Sequence, residues 1–143
     1  MLEGVSNALK PKAYLVCEFG GYGNTETIHR ALKEAFEKRG LKYGQGFYFP
    51  TIGEYTPLLE GHQLKTVYAS LFDRKTALVG EKGMMDWINM FVKSPFQNID
   101  PALTEEIKEE AVENLKPILY EDGVWYADYV RIRIKAQKVD KIR

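Results

Sequence analysis

The feature that most constrains the fold of this chain is an apolar run near its amino terminus, residues 13–19, which ends in Gly20-Gly21. Six of its seven residues are apolar or aromatic, and they do not alternate with polar ones. A run of this length and composition is typical of a strand that is buried on both faces, as strands are inside parallel sheets. We therefore expect residues 13–19 to form an interior strand.

Helical and strand patterns alternate along the rest of the chain. Apolar residues at helical spacing predict helices at residues 2–9, 25–39, 52–60, 80–93 and 101–116. Residues that favour strands predict two further strands, at 64–72 and at 124–138, the second of them after a turn at Glu121-Asp122-Gly123. Strands that are separated by helices indicate the α/β fold class.

The length of the chain, 143 residues, suits a single domain, residues 1–143. Within this domain we expect sheet elements and helical segments of a cap type to follow one another along the chain. The sheet elements are expected at about residues 1–24, 64–78 and 122–138, and the cap-like helical segments at about 25–50 and 80–118.

Composition and charge exclude several classes of protein. Twenty basic residues balance twenty acidic ones, whereas binders of nucleic acids or of membrane surfaces need an excess of positive charge. The basic stripe Arg131, Arg133 and Lys135 is therefore interpreted as a solvated or covered strand face. The longest uncharged stretch is too short for a transmembrane helix, which needs about 20 apolar residues, and the first residues do not resemble a secretory signal. We expect a cytoplasmic protein with no membrane or nucleic-acid partner.

Five short motifs occur in a characteristic order: E-F-G-G-Y-G-N at 18–24, Y-F-P-T-I-G-E-Y at 48–55, L-F-D-R at 71–74, W-I-N-M-F at 87–91 and D-G-V-W-Y-A-D-Y-V-R-I-R-I at 122–134. In this order the chain resembles the C-terminal half of class I S-adenosylmethionine-dependent methyltransferases, close to the branch that includes trans-aconitate methyltransferase. The resemblance implies part of a Rossmann-like sheet, with strand five at 13–19, strand six at 64–72 and an antiparallel strand seven at 125–138. The helices between them would form a cap over a small-molecule pocket.

The resemblance does not extend to the cofactor site. Such enzymes hold S-adenosylmethionine on a glycine-rich turn after their first strand and on an acidic residue after their second, and this chain has neither element. We assign no cofactor-binding residue and expect no cofactor binding by the isolated chain. One hypothesis is that this chain is the substrate-side portion of an enzyme that methylates a small molecule. The cofactor-binding half of that enzyme would then be a separate chain. The alternative is a non-enzymatic or vestigial oligomeric domain that binds a small ligand.

Five residues are candidates for substrate binding, and each also has an ordinary structural interpretation. Glu18 is the one charged residue of its strand, at the end where α/β sheets bind ligands, but it could simply point outwards. Asn24 could bind substrate, although helix capping is the commoner role for asparagine there. Tyr48, Tyr55 and Trp87 combine an apolar ring with a polar group, which suits the wall of a pocket but equally suits a core.

No catalytic residue and no metal site can be assigned from the sequence. His29 and His62 are 33 positions apart and have no partner at the spacing of metal ligands, so no metal site is supported. His29 lies on the polar flank of its predicted helix and His62 follows Gly61 in a turn, so both are expected at the surface. The single cysteine, Cys17, excludes an internal disulfide, and its apolar surroundings predict a buried thiol that no base activates.

The first strand also predicts how the chain assembles. The resemblance implies that the strand next to residues 13–19 is missing from this chain, which leaves an interior strand at an edge. Such edges tend to recruit another chain. We expect a homo-oligomer, most simply a two-fold dimer through residues 1–24, or a complex with a separate N-terminal methyltransferase half.

Overall fold

The computed structural model of the chain describes residues 1–44 and 46–140. In chain order the described elements are α1 (Leu2–Ala8), β1 (Tyr14–Gly20), α2 (Glu26–Glu37), α3 (Ile52–Glu60), β2 (Leu64–Ala77), α4 (Gly83–Phe91), a 3₁₀ turn (Ser94–Phe96), α5 (Pro101–Leu119), β3 (Tyr120–Glu121) and β4 (Val124–Lys138). This alternation of helices and strands confirms the predicted α/β fold class. Within the described residues, no helix combines the length and the apolar character that crossing a membrane requires.

The last strand of the chain lies in the middle of the sheet. The strand order is β1-β4-β2, and the short β3 also pairs with β4. β1 and β4 are antiparallel in a continuous register that places Tyr14 opposite Gln137 and Gly20 opposite Arg131. The antiparallel last strand agrees with the partial methyltransferase sheet that the sequence motifs imply.

The expectation that residues 13–19 form a strand buried on both faces is wrong. β1 lies at the end of the described strand order and pairs antiparallel with β4. Leu15, Cys17 and Phe19 pack against a core, whereas Val16 on the other face is 67% exposed. Apolar side chains of β1 therefore lie on both faces of the strand, but in the described structure only the face of Leu15, Cys17 and Phe19 packs against a core.

The chain divides into two compact units, which we call the sheet unit and the helical unit. The sheet unit comprises Met1–Asn24, Phe49–Arg74 and the chain from Val130 onward. Its core is formed by residues of α3, β2 and β4, and side chains of α1 and β1 pack against it. The fully buried or nearly buried members of this core are Tyr55, Leu59, Leu64, Ile132, Ile134 and Ala136.

The helical unit comprises Thr25–Tyr48 and Lys75–Tyr129. Its core is built mainly by α2, α4 and α5, with two residues of β4. Ile28, Leu32 and Phe36, spaced along one face of α2, are completely buried. The single-domain organisation of the two units stays a prediction.

Local sequence signals fix several ends of these elements. Thr51 and Glu54 form a reciprocal capping box at the start of α3, in which each side chain accepts a hydrogen bond from the other's backbone N–H. Asp100 accepts two backbone N–H groups at the start of α5. Asp122 and Gly123 both have positive φ, as a two-residue turn between β3 and β4 requires.

Candidate functional site

Aromatic side chains of the helical unit meet around one buried histidine. We call this group the aromatic cluster. It joins α2, the segment between α2 and α3, α4 and β4, and its members are His29, Tyr43, Phe47, Trp87, Phe91 and Tyr129.

His29 is the polar centre of the aromatic cluster. Its side chain is 5% exposed, and its Nδ1 lies 2.7 Å from the hydroxyl of Tyr43. Burial lowers the pKa of His29 to about 4, so the imidazole is neutral at pH 7. Burial also raises the pKa of the Tyr43 hydroxyl, which therefore stays protonated. A neutral imidazole against a protonated phenol is a hydrogen-bonding group and not a base poised near neutral pH.

The other imidazole nitrogen of His29, Nε2, is buried and has no hydrogen-bond partner among the described residues. Its ring is surrounded by Phe47 at 5.5 Å, Tyr43 at 6.0 Å and Trp87 at 6.4 Å between ring centroids. The expectation that His29 lies at the surface is therefore wrong. The helical pattern places His29 on the polar flank of α2, whereas the structure buries it under side chains from distant segments.

Trp87 connects the buried part of the aromatic cluster to the surface. Its indole N–H donates to the hydroxyl of Tyr129 at 2.8 Å, and its ring lies 5.2 Å from that of Phe91. Trp87 is 8% exposed, whereas Phe47 and Phe91 are 42% and 48% exposed. The aromatic cluster therefore runs from a neutral imidazole outwards to exposed rings, an arrangement that can contact a small planar molecule.

A second polar group lies on one face of the sheet unit. Glu18 accepts hydrogen bonds from Arg133 at 2.7 and 3.0 Å, from Arg74 at 3.0 Å and from Arg131 at 3.3 Å. The strand register explains the contact, because Glu18 lies opposite Arg133. Hydrogen bonding to Arg133 contributes most to lowering the pKa of Glu18. Three guanidinium groups thus surround one carboxylate, and the substrate role of Glu18 stays a prediction.

Asn24 and Tyr55 have structural partners in the sheet unit. Asn24 is 8% exposed, and its Oδ1 accepts the backbone N–H of Val130 at 2.9 Å. Capping of α2, which the sequence favoured for Asn24, is instead provided by Asp128, whose carboxylate accepts the N–H of Thr27 at 2.9 Å. Tyr55 is 7% exposed and meets the ring of Phe19 edge to face.

The five candidate substrate residues are divided between the two units. Glu18, Asn24 and Tyr55 belong to the sheet unit, whereas Tyr48, which is 61% exposed, and Trp87 belong to the helical unit. Their substrate roles stay predictions. The sequence analysis did not select the other members of the aromatic cluster as candidates. Tyr129 lies two residues after Ala127 on β4, and residues at this spacing share one face of a strand, so the alternation along β4 is the signal that could have selected it.

The remaining titratable side chains that the structure describes were compared with the geometry of a metal site. Among the residues that the structure describes, no three His, Cys, Asp or Glu side chains are grouped so that they could hold a metal ion. His62 is half-buried, and its Nδ1 lies 2.8 Å from the carbonyl oxygen of Leu58. Partial burial raises the pKa of the Cys17 thiol, which agrees with the prediction that this thiol is not activated.

Comparison with known proteins points to methyltransferases. No model of a known protein family matches the chain. The chain is 25% identical over 144 aligned positions to an uncharacterized methyltransferase, C70.08c, of Schizosaccharomyces pombe, and the alignment covers 96% of this chain and 54% of that protein. Its structure is similar to that of a provisionally assigned methyltransferase (BH2331) of Bacillus halodurans C-125, with a TM-score of 0.51, 16% identity, and coverage of 96% of this chain and 56% of that one.

These comparisons confirm the resemblance to methyltransferases in sequence and in fold. The chain spans about half the length of the relatives that it matches. Its relation to the trans-aconitate branch, and to the C-terminal half of an enzyme, stays a prediction.

Proposed function

We propose that this chain is the substrate-side portion of an S-adenosylmethionine-dependent methyltransferase that acts on a small molecule, and that its sequence lies close to the branch that includes trans-aconitate methyltransferase. The observation that carries the proposal is the match of nearly the whole chain to about half of a methyltransferase. The antiparallel pairing of the last strand, β4, with β1 supports it, because the resemblance implies an antiparallel strand seven.

The glycine-rich loop after β1 does not fit the cofactor. A Cβ atom built on Gly20 would lie 2.8 Å from the ring of Phe49, and one on Gly21 would lie 2.4 Å from the side chain of Leu71. Side chains of the sheet unit therefore pack against the positions that a Cβ atom would take, so packing within this chain accounts for both glycines and they do not indicate a nucleotide site. We assign the cofactor to a separate half of the enzyme. The residues of this chain would bind and orient the acceptor, and such positioning can supply much of the catalytic effect.

The free edge of β1 is where we expect the cofactor-binding half to pair. Ala13 and Gly21 both hydrogen-bond to β4 through their backbones, at 2.8 and 2.9 Å, and the register between them is continuous. The backbone groups of the alternate residues Tyr14, Val16 and Glu18 therefore point away from β4. A further strand could pair with the backbone groups of Tyr14 and Val16, and the exposed side chain of Val16 would become buried in the same contact. The carbonyl oxygen of Glu18 already accepts a hydrogen bond from Nη2 of Arg131 at 3.3 Å.

A chimera tests this proposal. This chain would replace the matching half of the Schizosaccharomyces pombe relative, and the cofactor-side half of that relative alone would be the control. We expect the chimera to fold, to bind S-adenosylmethionine and to transfer a labelled methyl group to an acceptor in a small-molecule extract. A folded chimera that binds the cofactor but methylates no small molecule would contradict the assigned role.

Val16→Pro probes the β1 edge in the same chimera. The Val16 N–H points away from β4, so proline there blocks pairing on the free side and leaves the hydrogen bonds to β4 in place. We expect this variant to lose cofactor binding and methyl transfer while the isolated chain keeps its helical content. Cys17→Pro is the matched control, because it removes a hydrogen bond to β4 and should unfold the isolated chain.

The alternative function, a non-enzymatic oligomeric domain that binds a small ligand, has one observation in its favour. The exposed face of β1 carries Tyr14, 50% exposed, and Val16, which are apolar groups suited to contact with a second copy. A stable dimer of the isolated chain that excludes the cofactor-binding half would favour this alternative.

A further inference from the structure

We propose that the aromatic cluster binds a small, neutral, planar molecule, with an oxygen atom of the ligand at His29 Nε2 and its ring in the place now occupied by Phe47. This inference deepens the proposed function, since the ligand would be the methyl acceptor. Binding itself requires only residues of the helical unit.

Nε2 of His29 is buried and has no hydrogen-bond partner among the residues that the structure describes. Native interiors pair nearly all buried polar groups, so a buried nitrogen without a partner indicates that a partner is missing. The Tyr43 hydroxyl lies at the other nitrogen, Nδ1. Because a phenol is the stronger donor and an imidazole nitrogen the stronger acceptor, we place the shared proton on Tyr43. His29 then carries its own proton on Nε2, and the ligand must supply an acceptor, such as a carbonyl oxygen.

The surroundings of His29 select a neutral ligand. Its side-chain hydrogen bond and its ring contacts among the described residues are with Tyr43, Phe47 and Trp87, all of them uncharged. A carboxylate placed there would lose its hydration without gaining a counter-ion. A carbonyl or hydroxyl oxygen attached to an apolar ring would keep one strong hydrogen bond and bury the rest of the molecule.

The position of Phe47 selects a planar ligand. Its ring lies 5.5 Å from the imidazole, is 42% exposed, and belongs to a segment that is neither helix nor strand. A side chain in such a segment can move without disturbing the helices that hold His29 and Trp87. A flat molecule of similar size could then pack against the same two rings.

Titration with three matched probes tests the inference. Benzamide is neutral, planar and carries a carbonyl oxygen; benzoate has the same shape and a negative charge; toluene has no acceptor. We expect saturable quenching of tryptophan fluorescence by benzamide, with an affinity about tenfold higher than that of benzoate or toluene, the ratio typical of one hydrogen bond. Phe47→Ala should raise the affinity for benzamide, because the space is already open.

Substitutions of the two histidines provide the matched comparison. His29→Phe keeps an aromatic ring but removes Nε2, and we expect about tenfold weaker binding of benzamide. His62→Phe should leave the affinity unchanged, since His62 lies in the sheet unit. If His29→Phe does not fold, the ¹⁵N resonances of the unmodified chain decide, because benzamide should shift Nε2 of His29 and not that of His62.

The inference is overturned if neither the unmodified chain nor Phe47→Ala binds benzamide saturably, or if His29→Phe binds it equally well. An unshifted His29 resonance at saturating benzamide has the same consequence. None of these experiments contains S-adenosylmethionine, so their failure leaves the proposed methyltransferase function untouched. Conversely, benzamide binding by a chain whose chimera transfers no methyl group would overturn only that function.

Discussion

We expect acidification from pH 7 to pH 4 to destabilise this chain through His29. In the unfolded chain the imidazole has its ordinary pKa of 6.5, whereas burial lowers it to about 4 in the folded chain. Between these two values the unfolded state binds more protons than the folded state, so stability falls as pH falls across this window. Below about pH 4 both states are protonated and the loss is complete.

The size of the effect follows from the difference between the two pKa values. A difference from 6.5 to about 4 corresponds to a loss of up to about 3 kcal/mol in the free energy of unfolding. The titratable side chain that hydrogen-bonds to His29 is Tyr43, which stays protonated throughout this range. Tyr43 therefore adds no pH dependence of its own.

Urea denaturation at pH 7, 6, 5 and 4 measures this loss. Carboxylates also titrate here, so the informative quantity is the difference in stability between the unmodified chain and His29→Phe. We expect that difference to shift by about 2–3 kcal/mol in favour of the variant between pH 7 and pH 4. His62→Phe, as a control, should not reproduce this difference. Parallel curves for the unmodified chain and His29→Phe, or an NMR pKa near 6.5 for His29, would refute the reasoning.

Three further predictions concern stability and assembly. Tyr129→Phe leaves the buried N–H of Trp87 without its partner and should lower the free energy of unfolding by about 1–3 kcal/mol, measured by heat or urea. Tyr126→Phe, the control, should lower it less. Equal losses in the two variants would contradict the role of this hydrogen bond. Cys17→Ser should lower stability by about 1–3 kcal/mol without reducing the activity of a complete assembly, and lost turnover at unchanged stability would instead make the thiol catalytic. Sedimentation equilibrium at tens of micromolar should give a molecular mass of about 33 kDa for the unmodified chain, as expected for a dimer. Val16→Pro should give the monomer mass of 16.4 kDa. A monomeric unmodified chain would contradict the dimer prediction.

Local chemistry explains which parts of the fold were predictable. The bounds of α3 agree with the sequence because Thr51 caps its start through contacts only three residues away. β2 was predicted to end at residue 72 but continues to Ala77. Arg74 and Lys75 lie in this extension and form ion pairs with Glu18 and Glu121, which are far away in the sequence. Such distant partners cannot be inferred from a local pattern.

The candidate site shows the same limit. Trp87 could be selected from the sequence because it has a large ring and a polar N–H. His29 could not, since its burial depends on Tyr43, 14 residues away, and on Phe47 in a segment without regular structure. The cap of α2 likewise comes from Asp128, 101 residues from the N–H of Thr27 that it accepts. A polar residue on a helix therefore has to be judged from the tertiary contacts that cover it.

We infer that this chain carries the substrate side of a methyltransferase and needs a separate half to hold the cofactor. Titration calorimetry of S-adenosylmethionine into the isolated chain and into the chimera, both at about 100 μM, tests this claim most directly. We predict no saturable heat for the isolated chain and saturable binding for the chimera. Binding by the isolated chain in the low micromolar range, about −8 kcal/mol, would contradict the account.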